Sequence, residues 1–286
     1  MNQPSDPDSG SPASDKSPTP ESTTPLEEPR PVAAAPQRVH FKLPESAPYV
    51  TYAIIGVTVF VFVLQIVSIA IYGRFSGGAD LLQRYGSLIG SKVHAGQLWR
   101  LITPILLHDN SFPFLHILFN MYALYIFGVS LERYFGHRRY LLLYLLAGFS
   151  GNVLSFVVSS QHYTYSVGAS TAIFGLLGAE AVFLIQNRKL FAGQFRRAIS
   201  NIIFVAVINL FVIGSLPGID NMGHIGGLLG GLIFTTFAGP RWEIEGIPPA
   251  LNLVDRRSFR EIVVGVAAVL LMFGALAMWG MANWNR

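Results

Sequence analysis

Ser170 lies in an apolar stretch with small residues on both sides, Gly168-Ala169 before it and Thr171-Ala172 after it. A hydroxyl becomes a nucleophile when a neighbouring base takes its proton, and a neutral imidazole does this near pH 7. His224, in Met222-Gly223-His224-Ile225-Gly226-Gly227, opens a second apolar stretch and is the candidate base. His116 and Asn120 open a third stretch; they are four residues apart and so share one helical face. Serine attack on an amide carbonyl builds an oxyanion that needs fixed donors. The Asn120 amide, the His116 imidazole and the Ser170 backbone N–H could supply them, the last if Ser170 starts a helix and its amide lacks an intrahelical acceptor. No carboxylate adjoins His224; Asp220 is four residues earlier, and a Ser–His dyad does not require it. Each residue also has a plain structural reading, as a serine bonded to its own backbone or as histidine and asparagine linking helices.

Whether the four side chains meet depends on the elements that carry them. The chain of 286 residues is 51% hydrophobic and 13% charged, with mean hydropathy +0.46; a soluble domain has about 25% charged residues. Seven apolar spans are read at 49–72, 114–131, 140–160, 170–185, 199–214, 222–237 and 262–279. Crossing ~30 Å of hydrocarbon takes about 20 residues, so the chain reads as a polytopic helical membrane protein. Spans four, five and six are short, and the glycines of four and six suit helices packed inside the bundle. Gly227 and Gly231 form a small-xxx-small pattern through which span six can approach Gly175 and Gly178 of span four. In the connection 73–113, Leu81, Tyr85 and Leu88 recur at helical spacing with Leu82 and Ile89 on the same face, which predicts a helix lying in the membrane interface.

Residues 1–48 are rich in Pro, Ser, Thr and acidic residues, without apolar periodicity, and read as a disordered tail. They hold no apolar core of a cleaved signal peptide, so the first span reads as an uncleaved signal anchor. With no cysteine, disulfides, thiol nucleophiles and cysteine metal sites are out of consideration. The net charge of +4 comes from basic residues beside the spans and predicts no nucleic-acid partner.

Those basic residues set the orientation. Arg133, Arg138 and Arg139 follow span two; Arg188, Lys189, Arg196 and Arg197 follow span four; Arg241, Arg256, Arg257 and Arg260 follow span six. The links after spans three and five, 161–168 and 215–221, carry no Lys or Arg. The positive-inside rule makes the first group cytoplasmic and the second external, although the connection after span one runs against it with Arg74, Arg84, Lys92 and Arg100. The N-terminus is then cytoplasmic. Spans two, four and six enter from outside, which puts His116, Asn120, Ser170 and His224 at one depth in the outer half of the membrane.

Trp99-Arg100, His116-xxx-Asn120, Leu131-Glu132-Arg133, Gly168-Ala169-Ser170 and His224 followed by Gly227-xxx-Gly231 occur in order over about 50–240. In these segments the chain resembles the rhomboid intramembrane serine proteases. The resemblance implies Ser170 as nucleophile, His224 as general base, and an oxyanion hole of His116, Asn120 and the Ser170 amide, with no metal or cofactor. It implies an all-α polytopic membrane bundle: a rhomboid-like six-helix core over 49–240, then a cytoplasmic linker and a seventh C-terminal transmembrane helix over 241–286. Transmembrane protein substrates in the lipid bilayer of the cell membrane are implied too, with the active site toward the extracytoplasmic side and span five as the lateral entrance. Oligomeric state is not implied. One residue departs from the pattern: the family usually has glycine after the serine, where this chain has Thr171. A β-branched residue there narrows the site unless it fits at helical angles. Two other classes are compatible with the residues. One is an inactive rhomboid-like pseudoprotease that binds membrane clients. The other is a transporter using His116 and His224, with Glu180 as its main further polar group.

Overall fold

The computed structural model describes residues 46–76, 80–158, 165–247 and 250–284. The tail expected over 1–48 falls outside the described residues except for 46–48. The seven spans are helices: α1 (Tyr49–Ser76), α4 (Leu115–Phe135), α5 (His137–Val158), α6 (Ser170–Gln186), α7 (Phe195–Val207), α8 (Asn221–Ala238) and α9 (Phe259–Ala282). Two short helices, α2 (Leu81–Gly86) and α3 (Gly90–His94), lie between α1 and α4. Helix α7 runs on through a π turn, Ile208–Val212, and a 3-10 turn, Ile213–Ser215. Helices α1, α4, α5, α9 and the α7 segment to Ser215 are each long and apolar enough to cross a membrane. The fold is a polytopic helical membrane bundle.

Helix α6 runs through the core. Every residue from Thr171 to Ala179 is buried, between α5 on one side and α8 on the other. The glycines make this possible. A methyl on Gly227 would collide with the Thr171 carbonyl oxygen, and one on Gly231 with that of Gly175, while Gly175 itself abuts Ala147 of α5. Backbones that approach this closely leave no room for a β-carbon. Helix α9 packs on α5 and α8 through a stripe of Gly265, Val269, Phe273, Ala277 and Gly280. Helix α7 is different: only Ile202 along it is buried, against Leu177 and Leu184 of α6.

Polar side chains fix the helix ends. The Glu132 carboxylate, fully buried, accepts the Val50 N–H at 2.8 Å and the Thr51 N–H and hydroxyl at 2.7 Å. It thus caps the positive end of α1 from the far end of α4. Ser258 and Glu261 form a reciprocal cap at the start of α9.

Two segments differ from the sequence reading. The single interfacial helix expected in 73–113 stops at Gly86. Ser87 Oγ donates to Gln83 O at 2.6 Å, and the Arg100 guanidinium donates to Ser87 O at 2.6 Å and Arg84 O at 2.7 Å, so the carbonyls are held by side chains. Leu88 then enters a strand, β1 (Leu88–Ile89), paired antiparallel with β2 (Tyr165–Ser166). Leu88 is buried and Tyr85 exposed, so the two do not share a face. The linker after α8 also holds unforeseen structure, an antiparallel hairpin of β3 (Trp242–Ile247) and β4 (Ala250–Asp255), with Trp242 opposite Asp255.

Candidate active site

The start of α6 is a turn held by two hydrogen bonds. Gly168 has φ +132°, a conformation that side chains strain to adopt, and its N–H donates to Pro104 O at 2.9 Å. The Ala169 N–H donates to His108 Nε2 at 3.4 Å. Ser170 is the first helical residue, so its N–H is among those that a helix start leaves without an intrahelical acceptor. Ser170 is half-buried.

His224 reaches this turn from the first turn of α8. Asp220 caps that helix, its Oδ1 accepting the Gly223 N–H at 2.8 Å and its Oδ2 the Ser155 hydroxyl at 2.6 Å. Among the described residues the carboxylate makes no hydrogen bond to His224. The imidazole lies flat on Phe174, with ring centroids 4.2 Å apart and planes at 11°, and its Nε2 sits 3.0 Å from Ser170 Oγ. His224 Nδ1 is buried without a protein partner among the described residues. The pair is a serine–imidazole dyad in geometry, with a ring stack doing the orienting that a carboxylate does elsewhere.

His116 stands on the other side of the glycine. A methyl added to Gly168 would lie 2.9 Å from His116 Nε2 and 3.7 Å from Ser170 Oγ, so both side chains flank one residue. His116 Nδ1 accepts the Asp109 N–H at 3.4 Å, which leaves the proton of the neutral ring on Nε2, toward Gly168. Asn120 is buried and uses one amide hydrogen on His116 O at 2.8 Å, with a second still to donate. It makes no direct bond to Ser170 or His224.

A model of the rhomboid domain matches residues 95–241, which span every residue named at this site. The chain belongs to the rhomboid family. It is 40% identical over 230 residues to rhomboid protease GluP of Bacillus subtilis (strain 168), covering 79% of this chain and 41% of that protein. It is 35% identical over 205 residues to RHOMBOID-like protein 5 of Arabidopsis thaliana, covering 68% of this chain and 65% of the relative. Putative rhomboid protease YdcA of Bacillus subtilis (strain 168) is 37% identical over 140 residues, covering 49% and 67%. The chain therefore spans between about two fifths and two thirds of the length of these relatives.

In this rhomboid Thr171 packs between α5 and α8. It is buried, and its β-carbon and methyl fill the space over Gly151 of α5 and Gly223 of α8, where added β-carbons would come within 2.6 and 2.9 Å of it. Two glycines on neighbouring helices thus vacate the volume that Thr171 occupies. Its hydroxyl is buried without a partner among the described residues.

His108 also belongs to the site, without a motif of its own in the sequence. Its ring is fully buried, 5.3 Å from that of His116, and it accepts the amide that precedes Ser170. Gln65 of α1 holds its backbone from both sides, accepting the His108 N–H at 3.1 Å and donating to its carbonyl at 3.0 Å. Gln65 also donates to Asp80 at 2.6 Å. Burial, reinforced by the His116 ring, holds the His108 imidazole neutral, with its pKa pushed down to about 3. A glutamine inside an otherwise apolar span was the available signal.

Proposed function

We propose that this rhomboid is an intramembrane serine endopeptidase acting through a Ser170–His224 dyad on transmembrane protein substrates. The observation that carries the reading is the 3.0 Å approach of His224 Nε2 to Ser170 Oγ at the first residue of α6. His224 takes the hydroxyl proton as Oγ bonds to the scissile carbonyl carbon, and the carbonyl electron pair moves onto oxygen. The His116 Nε2–H, the free Asn120 amide hydrogen and the Ser170 N–H stabilise that oxyanion. Collapse expels the amine, which takes its proton from the His224 imidazolium and leaves an acyl ester on Ser170. Water then attacks the ester, giving its proton to His224, and breakdown returns that proton to Ser170 Oγ.

The substrate strand has to unwind locally, because a helix keeps its carbonyls in internal bonds; glycine near the scissile bond eases this. The basic links support a reading with the N-terminus in the cytoplasm and the dyad toward the outside. The division that goes with this reading is a tail over 1–48, a protease core over 49–240, and a linker with a seventh helix over 241–286, and Gly227 and Gly231 hold α8 close enough for the dyad to form. Thr171 packs against Gly151 and Gly223 rather than over the hydroxyl, which favours activity over a client-binding pseudoprotease. A serine-directed fluorophosphonate tests the dyad. We expect labelling of Ser170 in the wild type and none in Ser170→Ala or His224→Ala; equal labelling of folded His224→Ala sinks the proposal.

A further inference from the structure

The dyad lies at one end of α6, and the other end of that helix borders a cavity of about 180 Å³. Helices α4, α6 and α7 and the turn before α7 line it, with Ser130, Tyr134, Glu180, Phe183, Phe191 and Gln194 among the lining residues. Glu180 is ten residues beyond Ser170, so it sits about 15 Å further along the helix axis. Its carboxylate has no hydrogen bond or ion pair among the described residues. An ionisable group in a membrane helix without a counter-charge is costly, and nothing in the proteolytic reading uses it. Three aromatic rings wall the same cavity and pack on one another. Centroids are 5.3 Å apart for Tyr134 and Phe183, 5.7 Å for Phe183 and Phe191, and 6.2 Å for Tyr134 and Phe191. A carboxylate beside aromatic faces suits an ammonium group, through charge pairing and the negative face of the ring.

The surroundings select which ammonium. Arg133 falls between lining residues Leu131 and Tyr134, Arg188 and Lys189 between Leu184 and Phe191, and Arg196 and Arg197 between Gln194 and Ala198. All five are exposed, and none has an ion pair among the described residues. A lysine side chain approaching the cavity meets repulsion from these neighbouring positive charges. A zwitterionic headgroup can offer its phosphate to them while its ammonium enters. A primary ammonium also carries three N–H donors, which match the Glu180 carboxylate, the Ser130 hydroxyl and the Gln194 amide oxygen; a quaternary one carries none.

We propose that this cavity binds a phospholipid with a primary-ammonium headgroup, of the phosphatidylethanolamine type. The ammonium pairs with Glu180 inside the aromatic wall, and the phosphate rests on the arginines at the start of α7. Bound there, the headgroup ties the sparsely packed α7 to α4 and α6.

Native mass spectrometry of the full chain, titrated in detergent with phosphatidylethanolamine, tests this. The comparison ligand is N-acetyl-phosphatidylethanolamine, which keeps the phosphate and loses the ammonium. Loss of a charge-assisted pair predicts about tenfold or more weaker retention, both for the acetylated lipid on the wild type and for phosphatidylethanolamine on Glu180→Gln. Glu180→Asp keeps a carboxylate and should stay within about threefold of wild type, and Phe191→Leu should weaken retention severalfold by removing one ring face. Equal retention of the two lipids by the wild type overturns the proposal, and that arm does not depend on any variant folding. Equal retention by folded Glu180→Gln overturns it as well. Displacement by free ethanolamine, or by a transmembrane peptide ending in lysine, overturns the assignment to a lipid headgroup.

Discussion

Replacing Thr171 by valine keeps the shape of the side chain and exchanges its hydroxyl for a methyl. In the wild type that hydroxyl is buried and unpartnered among the described residues, while the β-carbon and methyl fit over Gly151 and Gly223. The exchange removes an unsatisfied polar atom and keeps the packing, so Thr171→Val should stabilise the fold by about 1–2 kcal/mol. For a protein of this size that raises the unfolding midpoint by roughly 2–6 °C. Thr171→Gly, which restores the family's usual residue, should go the other way. It empties the space between α5 and α8 and places glycine in a helix, at a cost of roughly 1–3 kcal/mol. Thermal unfolding of both variants in one detergent, with fluorophosphonate labelling rates beside it, measures stability and Ser170 access together. The reasoning is refuted if Thr171→Val unfolds below the wild type. It is equally refuted if labelling slows beyond about threefold, since then the side chain faces the serine rather than the glycines.

Three further outcomes follow from contacts already described. Gly227→Ala drives a methyl into the Thr171 carbonyl and forces α6 and α8 apart; an ångström added to the Ser170–His224 separation should cut labelling about 100-fold, and an unchanged rate contradicts the close packing. Neutral burial of His108, at about 3 against the ordinary 6.5, means that below pH 6.5 the unfolded chain takes up a proton that the folded one refuses. Stability should therefore fall with acid by about 1.4 kcal/mol per pH unit between 6.5 and 3, with no contribution from this group above 6.5. Unfolding midpoints from pH 7 to 5 should drop less in His108→Gln, and an identical drop excludes His108 as the source. Glu132→Gln weakens the cap on α1 and should lower stability by about 1–3 kcal/mol, read from the same unfolding curves.

The sequence carried the membrane part of the fold because hydrocarbon imposes a length and an apolar composition that any spanning helix has to meet. Those constraints, with the parity of the basic links, are why the sequence predicts one depth for Ser170, His224, His116 and Asn120. The glycine spacing at Gly227 and Gly231 pointed to the α6–α8 approach for a similar reason, since it marks where backbones can touch. Segments outside the spans were harder, because tertiary bonds decide them. Helix α2 ends where Arg100 takes the carbonyls of Arg84 and Ser87, and β1 finds its partner in β2, beyond two transmembrane helices. The hairpin after α8 did carry a local signal, the alternation Trp242-Glu243-Ile244-Glu245, which has the period of a strand. His108 had none of its own: a lone loop histidine becomes part of the site only through Ala169 and Gln65.

Cleavage of transmembrane segments by Ser170, activated by His224, is tested by reconstituting the full chain in liposomes with a single-span substrate and following the products by mass spectrometry. The wild type should cut within or beside the substrate's transmembrane segment, and Ser170→Ala and His224→Ala should not. Cleavage that persists in Ser170→Ala, or a folded wild type that holds the substrate and leaves it whole, would contradict this mechanism.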